Sequence, residues 1–311
     1  MTLAFVYAGQ GSQHVGMGRD LYERFPSFRR LWDTAPVDFD LPGLCFDGPE
    51  DRLSQTRYTQ PCMVAFAAGV TALLAGEGIR PAMAAGLSLG EYSALHAAGV
   101  WDAETVISLA AFRGRAMEQA VTGRDCSMTA VLGLERDKLE DACAGARAAG
   151  VVEIANDNCP GQLVIAGDRA AVDKAAELAA GAGARRCVPL KVSGPFHTSL
   201  MKPAGDALQK KFETIPFAAP SFPVIFNATG LPLQPGETIP GLLEKQVQSG
   251  VRFTDTIRYM ESQGVDVVIE IGPGKTLSGF IRKTAKSIRT YGVEDGESLQ
   301  AVIERWKGAG L

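Results

Sequence analysis

The stretch Gly86-Leu87-Ser88-Leu89-Gly90 limits what this chain can fold into more than any other. Ahead of it Pro81–Ala85 is short and apolar, suited to a buried strand, and behind it Glu91–Ala98 reads as the opening of a helix. In the order strand, Gly-x-Ser-x-Gly, helix, the serine is lifted onto a sharp turn. The flanking glycines let neighbouring backbone approach closely. The Ser88 hydroxyl then stands at a helix N-terminus, whose free N–H groups can receive a developing negative charge. A chain that makes this turn must place a strand and a helix in adjacent layers, which points to an α/β fold.

The rest of the sequence is read against that expectation. With 311 residues, 46% hydrophobic and 21% charged, the chain can bury a large core, as one domain or as a domain carrying an inserted smaller one. The net charge of −4, without a long run of one sign, argues against general nucleic-acid binding. A local basic patch for an acidic partner stays open. The cysteines Cys45, Cys62, Cys126, Cys143, Cys159 and Cys187 form no C-x-x-C pair and no zinc-spaced Cys/His cluster. No metal is expected, and the thiols read as reduced groups of a cytoplasmic protein. Met1–Ala8 lacks a basic start and reads as a first strand rather than a signal peptide. No apolar segment is expected to reach the roughly 20 residues that span a membrane.

Along the chain, Leu3–Ala8 reads as a strand followed by the glycine loop Gly9–Gln13. Leu21–Trp32 reads as a helix, Asp33–Arg57 as a long irregular stretch, and Thr59–Ala75 as a helix with Pro61 near its start. Ala103–Ala120 is a long helix with Asp102 as its N-cap. The character changes near Thr122. Met128–Leu134, Val151–Ala155, Gln162–Gly167 and Ala184–Lys191 are strand candidates, interleaved with helices at Arg136–Ala149 and Asp168–Gly181. Asn156–Gly161 is read as the turn between the middle two strands. Strand-helix-strand-strand-helix-strand is the ferredoxin-like order. The expected architecture is therefore an α/β-hydrolase-like large domain with a parallel sheet, residues 1–123 and 199–311, and an inserted ferredoxin-like small domain, 124–198, ending in the loop that carries His197. Phe222–Asn227 and Val265–Ile271 supply further buried strands, and Leu200–Thr214, Ile239–Gln248 and Phe253–Gln263 further helices. Gly272–Thr276 looks like a phosphate loop but lacks the Gly-x-x-x-x-Gly-Lys-Ser/Thr spacing.

A serine hydroxyl needs a base, and histidine is the usual one near neutral pH. The chain has three. His96 lies eight residues beyond Ser88 on the same helix, roughly 12 Å away at the helical rise and out of reach. His14 follows the glycine loop and is expected to start the next helix. His197 sits in Val192–Ser199, a loop stiffened by Pro195 with Phe196 as an apolar wall. Taken alone it is as open to a structural as to a catalytic reading; as a partner for Ser88 it leads. No triad carboxylate announces itself.

At this point several motifs in order, Phe5–Gln13, Gly86–Tyr92, Arg113-Gly114, Gly194–His197 and Glu270–Gly274, resemble the malonyl-CoA:acyl carrier protein transacylases over essentially the whole chain. The resemblance implies ping-pong transfer of malonyl from coenzyme A to the phosphopantetheine thiol of holo acyl carrier protein, with Ser88 as nucleophile and His197 as base. It implies an oxyanion hole at the N–H groups of Gln10 and Leu89, a bidentate hold of Arg113 on the malonyl carboxylate, and a Gln246 main-chain carbonyl that orients His197. Asn158 would line the acyl site, and Phe196 resembles the malonyl-selective form of the family. It implies no bound cofactor, and nothing in the sequence demands more than a monomer. Candidate contacts for an acidic carrier are Arg185, Arg186, Lys191, Lys202, Arg282, Lys283 and Lys286. Leu87, Ala8 and Asp157 depart from common family residues, and an Asp157 facing the site would weaken anion binding. Two alternatives share the Ser-His pair: a serine hydrolase or thioesterase, which has no need of Arg113, and an extender-unit acyltransferase of polyketide synthesis.

Overall fold

A computed structural model describes residues 1–192 and 194–309. Ser193 of the Val192–Ser199 loop, and Gly310 and Leu311 at the end of the expected large domain, lie outside the described residues. The strands, in chain order, are β1 (Leu3–Tyr7), β2 (Met83–Gly86), β3 (Cys126–Leu132), β4 (Val152–Cys159), β5 (Gln162–Asp168), β6 (Arg186–Pro189), β7 (Val224–Phe226), β8 (Leu231–Pro232), β9 (Val251–Arg252), β10 (Val267–Ile271) and β11 (Arg289–Val293). They form two sheets, ordered β11-β10-β1-β2-β7-β8 and β6-β3-β5-β4-β9.

The first sheet is parallel except at its β7–β8 edge. Its central strands are apolar runs with no alternation: every residue of β1 and β10 is buried, because helices cover both faces. In such sheets ligands gather outside the carboxyl ends of the strands. Here those ends lead into Gly9-Gln10 after β1, Leu87-Ser88 after β2 and Asn227 after β7. Together with the second sheet this makes the molecule an α/β-hydrolase-like fold carrying a ferredoxin-like unit. The unit's order, β6-β3-β5-β4, is antiparallel throughout, with helices Arg136–Ala146 and Arg169–Gly181 on one face. The period of two sorts its side chains. Val131, Leu163 and Ile165 pack toward those helices. Met128, Ala130 and Val164 point the other way, into a cavity over Ser88.

Several elements differ from the sequence expectation. The expected Leu21–Trp32 helix is two, Arg19–Arg24 and Pro26–Asp33, because Phe25 is extended ahead of Pro26. Asp33–Arg57 is not irregular throughout. Leu41–Asp47 is helical, capped by Asp40 onto the Gly43 N–H, and its Pro42 sits in the first turn where proline is tolerated. Asn156–Cys159 is strand rather than turn: β4 runs on to Cys159 through two bulges, and the turn shrinks to Pro160-Gly161. Pairing to β5 on one side and to β9 on the other overrides the turn-like composition. The helix Thr56–Gly76 is long and apolar enough to cross a membrane, contrary to the expectation that no segment is. It is apolar all round because it is a core helix, packed against Ala103–Ala120 and largely buried.

Candidate active site

Ser88 stands on a turn that tolerates almost nothing but glycine on either side. A Cβ at Gly86 would lie 1.9 Å from the Gly90 carbonyl carbon, and one at Gly90 would lie 2.1 Å from the Tyr7 oxygen. Ser88 itself adopts φ 53°, in the left-handed region, the strained geometry of a strand-to-helix nucleophile turn. Its Oγ lies 2.7 Å from His197 Nε2. His197 Nδ1 lies 2.8 Å from the main-chain oxygen of Gln246. A carbonyl can only accept, so Nδ1 carries the proton and Nε2 is left to take the serine proton. Among the described residues no carboxylate bonds this histidine; a backbone carbonyl does.

His197 is buried. Burial first, then the Arg113 charge, push its pKa down to about 4, against the pull of the Gln246 and Ser249 backbone. The imidazole is therefore neutral at physiological pH, the form a base needs. His96 is elsewhere, bonded through Nδ1 to the Trp101 carbonyl, and His14 is an exposed loop residue.

Arg113, on the helix Ala103–Ala120, is wholly buried beside the pair. Its Nη2 donates to Ser88 Oγ at 3.2 Å and to Gln246 Oε1 at 3.1 Å, and its guanidinium lies 5.3 Å from the Tyr92 ring centroid. Among the described residues its Nε and Nη1 make no hydrogen bond, although the buried Tyr92 and Glu91 side chains favour its charge. An unpaired buried donor is costly unless a ligand supplies its partner. Gln246 closes the group, with Nε2 donating to the Ser88 carbonyl at 2.7 Å.

Gln10, Phe196 and Asn158 line the cavity of about 450 Å³ that opens above Ser88. The backbone N–H groups of Gln10 and Leu89 make no backbone hydrogen bond among the described residues. Leu89 precedes the helix Gly90–Ala97, so its N–H is one of the free donors at that end. Asp157 does not face the cavity. It bonds to Thr254 and to Arg136 Nη1 at 3.2 Å, on the far side of β4 from Asn156 and Asn158. Of the basic candidates, Lys191 lines the cavity mouth and Lys283 reaches Gln162 on its rim, whereas Lys202 is paired with Asp206. The Gly272–Thr276 turn holds no anion-ready helix end, because Glu270 already accepts from the N–H groups of Leu277 and Ser278.

Two residues the sequence reading did not use are central. Asn227 is fully buried after β7. Its Oδ1 accepts from Ser88 N at 2.6 Å, its Nδ2 donates to the Gly86 carbonyl at 2.7 Å, and its own N–H donates to Glu91 Oε2 at 2.6 Å. Glu91 is fully buried, and burial pushes its carboxyl up to about 8, against the Asn227 N–H, Gln246 and Arg113. Glu91 stood inside the quoted motif; Asn227 had no local signal at all.

A serine activated by a histidine, with free N–H groups at a helix start and a buried arginine alongside, is the equipment of acyl transfer. Residues 4–308 match the acyl transferase domain family, and the chain belongs to that family. Over 308 residues, 98% of this chain and 97% of the other, it is 38% identical to the malonyl CoA-acyl carrier protein transacylase of Bacillus subtilis (strain 168). The crystal structure of MCAT from Streptococcus pneumoniae is 45% identical, with a TM-score of 0.93 and coverage of 98% of this chain and 100% of its own. A structure of a type II PKS acyl-carrier protein in complex with its malonyl-transacylase matches at 38% identity and TM-score 0.95, over 98% of this chain and 100% of the other. Within the acyl transferases the chain thus sits among the malonyl CoA-acyl carrier protein transacylases.

Proposed function

We propose that this chain moves malonyl from coenzyme A to the phosphopantetheine thiol of an acyl carrier protein through a malonyl-Ser88 ester. Ser88 Oγ attacks the thioester carbonyl as its proton passes to His197 Nε2. The oxyanion lies between the Gln10 and Leu89 N–H groups, each worth about 3–4 kcal/mol in such a site. The tetrahedral intermediate expels the coenzyme A thiolate, which takes the proton from His197. In the second half the carrier thiol gives its proton to Nε2 and attacks the ester, and Ser88 leaves with that proton. His197 thus serves as base and acid in turn, held in one tautomer by the Gln246 carbonyl.

The observation that carries the reading is Arg113: a fully buried guanidinium beside the nucleophile with Nε and Nη1 unpaired. The terminal malonyl carboxylate fits those donors, and a hydrolase of neutral esters has no use for them. Phe196 and Asn158 bound the acyl pocket. The carrier's arm enters between Lys191 and Lys283. The catalytic unit comprises residues 1–123 and 199–311 and the inserted unit 124–198, a division supported by an apolar cluster that lies wholly within the insert. The reaction as proposed needs no group from a second copy, so the chain is taken to act as a monomer, and the six free thiols suit the cytoplasm.

Intact-protein mass spectrometry after brief exposure to malonyl-CoA, then to holo carrier protein, tests this. A malonyl adduct on Ser88 that discharges onto the carrier thiol, and is absent from Ser88→Ala, is the expected result. Release of free malonate at the same rate with or without carrier would make the protein a hydrolase instead.

A further inference from the structure

The catalytic pair accounts for Ser88 Oγ but not for what keeps the serine backbone in its strained conformation. That task falls to groups outside the pair. The Asn227 carboxamide spans the turn from the neighbouring strand, accepting from Ser88 N and donating to Gly86 O. Asn227 is itself fixed at both backbone atoms, its N–H on Glu91 Oε2 and its carbonyl accepting from the Arg252 N–H at 2.9 Å. Glu91 lies in the first turn of the helix that follows Ser88, so the brace closes on the element it supports. Among the described residues Glu91 forms no ion pair and its Oε1 makes no hydrogen bond; Gln246 and the Arg113 charge only partly offset its burial. A carboxyl buried on those terms is a cost to the fold.

Resting on the reading of Ser88 as nucleophile, we propose that Asn227 and Glu91 are positioning residues which brace the Ser88 turn for attack. The brace does two things. It holds Ser88 at positive φ, so that Oγ meets Nε2 rather than relaxing away. It also occupies the Ser88 N–H, leaving the next N–H, that of Leu89, as the one aimed at the oxyanion. Neither residue touches substrate. Their loss should slow acylation and leave binding through Arg113 intact.

The test is the single-turnover rate of malonyl-Ser88 formation in the full-length chain, measured across malonyl-CoA concentrations. N227D has nearly the volume of asparagine but sets an oxygen against the Gly86 carbonyl. It is expected to acylate about 30-fold or more slowly at an unchanged half-saturating concentration. E91A should lose rate in the same way. E91Q keeps an acceptor for the Asn227 N–H and should recover to within about threefold of the parent. Three results would overturn the brace: N227D acylating at the parent rate, a loss confined to the half-saturating concentration, or E91Q as slow as E91A. Should the parent form no malonyl adduct, the functional reading fails. Labelling of Ser88 by a fluorophosphonate then reads the brace separately, with the same order of variants expected.

Discussion

Ser88 and His197 are the two non-glycine residues at positive φ among the described residues, at 53° and 63°, yet they are held there in different ways. The Ser88 turn is made by exclusion and bracing. Backbone packs against both flanking glycines, and Asn227 bonds across the turn. The His197 loop is made by tethering. Nδ1 is tied to the Gln246 carbonyl, Thr198 Oγ1 donates to Pro195 O at 2.6 Å, and the Ser199 N–H donates to Glu153 of β4. For a Cβ at Gly194 in that loop the nearest atoms would be side-chain ones, Phe196 Cε1 at 3.0 Å and Val121 Cγ2 at 3.1 Å. The Ser88 turn is thus set by main chain that cannot yield, and the His197 loop by side-chain and carbonyl contacts that can.

The comparison is broken most directly by adding one methyl to each loop. Gly86→Ala should cost about 3 kcal/mol or more, or prevent folding, because the clash is with backbone. Gly194→Ala should cost within about 1 kcal/mol, because Phe196 can turn aside. Chemical denaturation of both variants measures the contrast, and equal losses would abolish it.

Arg113 belongs to both regions, touching Ser88 Oγ and depressing His197. Arg113→Lys should lower kcat/KM for malonyl-CoA by roughly 100-fold, since one ammonium cannot present the planar fork. The acid limb sharpens the point. A protonated imidazole cannot take the serine proton, so acylation should hold until the pH falls toward about 4. In Arg113→Met, assayed with a thioester lacking the carboxylate, the limb should move up only part of the way, because burial, the larger cause, still holds the imidazole below its ordinary value. An unmoved limb would leave burial alone responsible.

The smallest expected effect lies on the face of β4 turned away from the cavity. Asp157→Asn removes the part-exposed ion pair to Arg136 but keeps a partner for Thr254. A loss of about 0.5 kcal/mol in thermal unfolding is expected, with the acylation rate unchanged.

Ser88 was legible because the glycines that make its turn are its neighbours in sequence. His197 was legible only by elimination among three histidines, and its tautomer not at all from composition. Gln246 entered through resemblance, because no local pattern marks a carbonyl. Asn227 was invisible: it lies 139 residues from Ser88 and meets it only because β7 pairs with β2. The Asn156–Cys159 strand was misread for a related reason. Asn, Asp and Pro favour turns locally; β5 follows at once, but the pairing on the other edge, with β9, is set far along the chain. Likewise Pro42 reads as a breaker until Asp40 is seen capping the helix it starts.

The parallel pairing of β4 with β9 has a mechanical side. β9 begins at Val251, five residues after Gln246, and is bonded into the strand that carries Asn156 and Asn158. The wall of the cavity and the carbonyl that fixes the imidazole are therefore joined through one strand pair and five residues of chain. Pocket shape and imidazole aim thus share a single mooring.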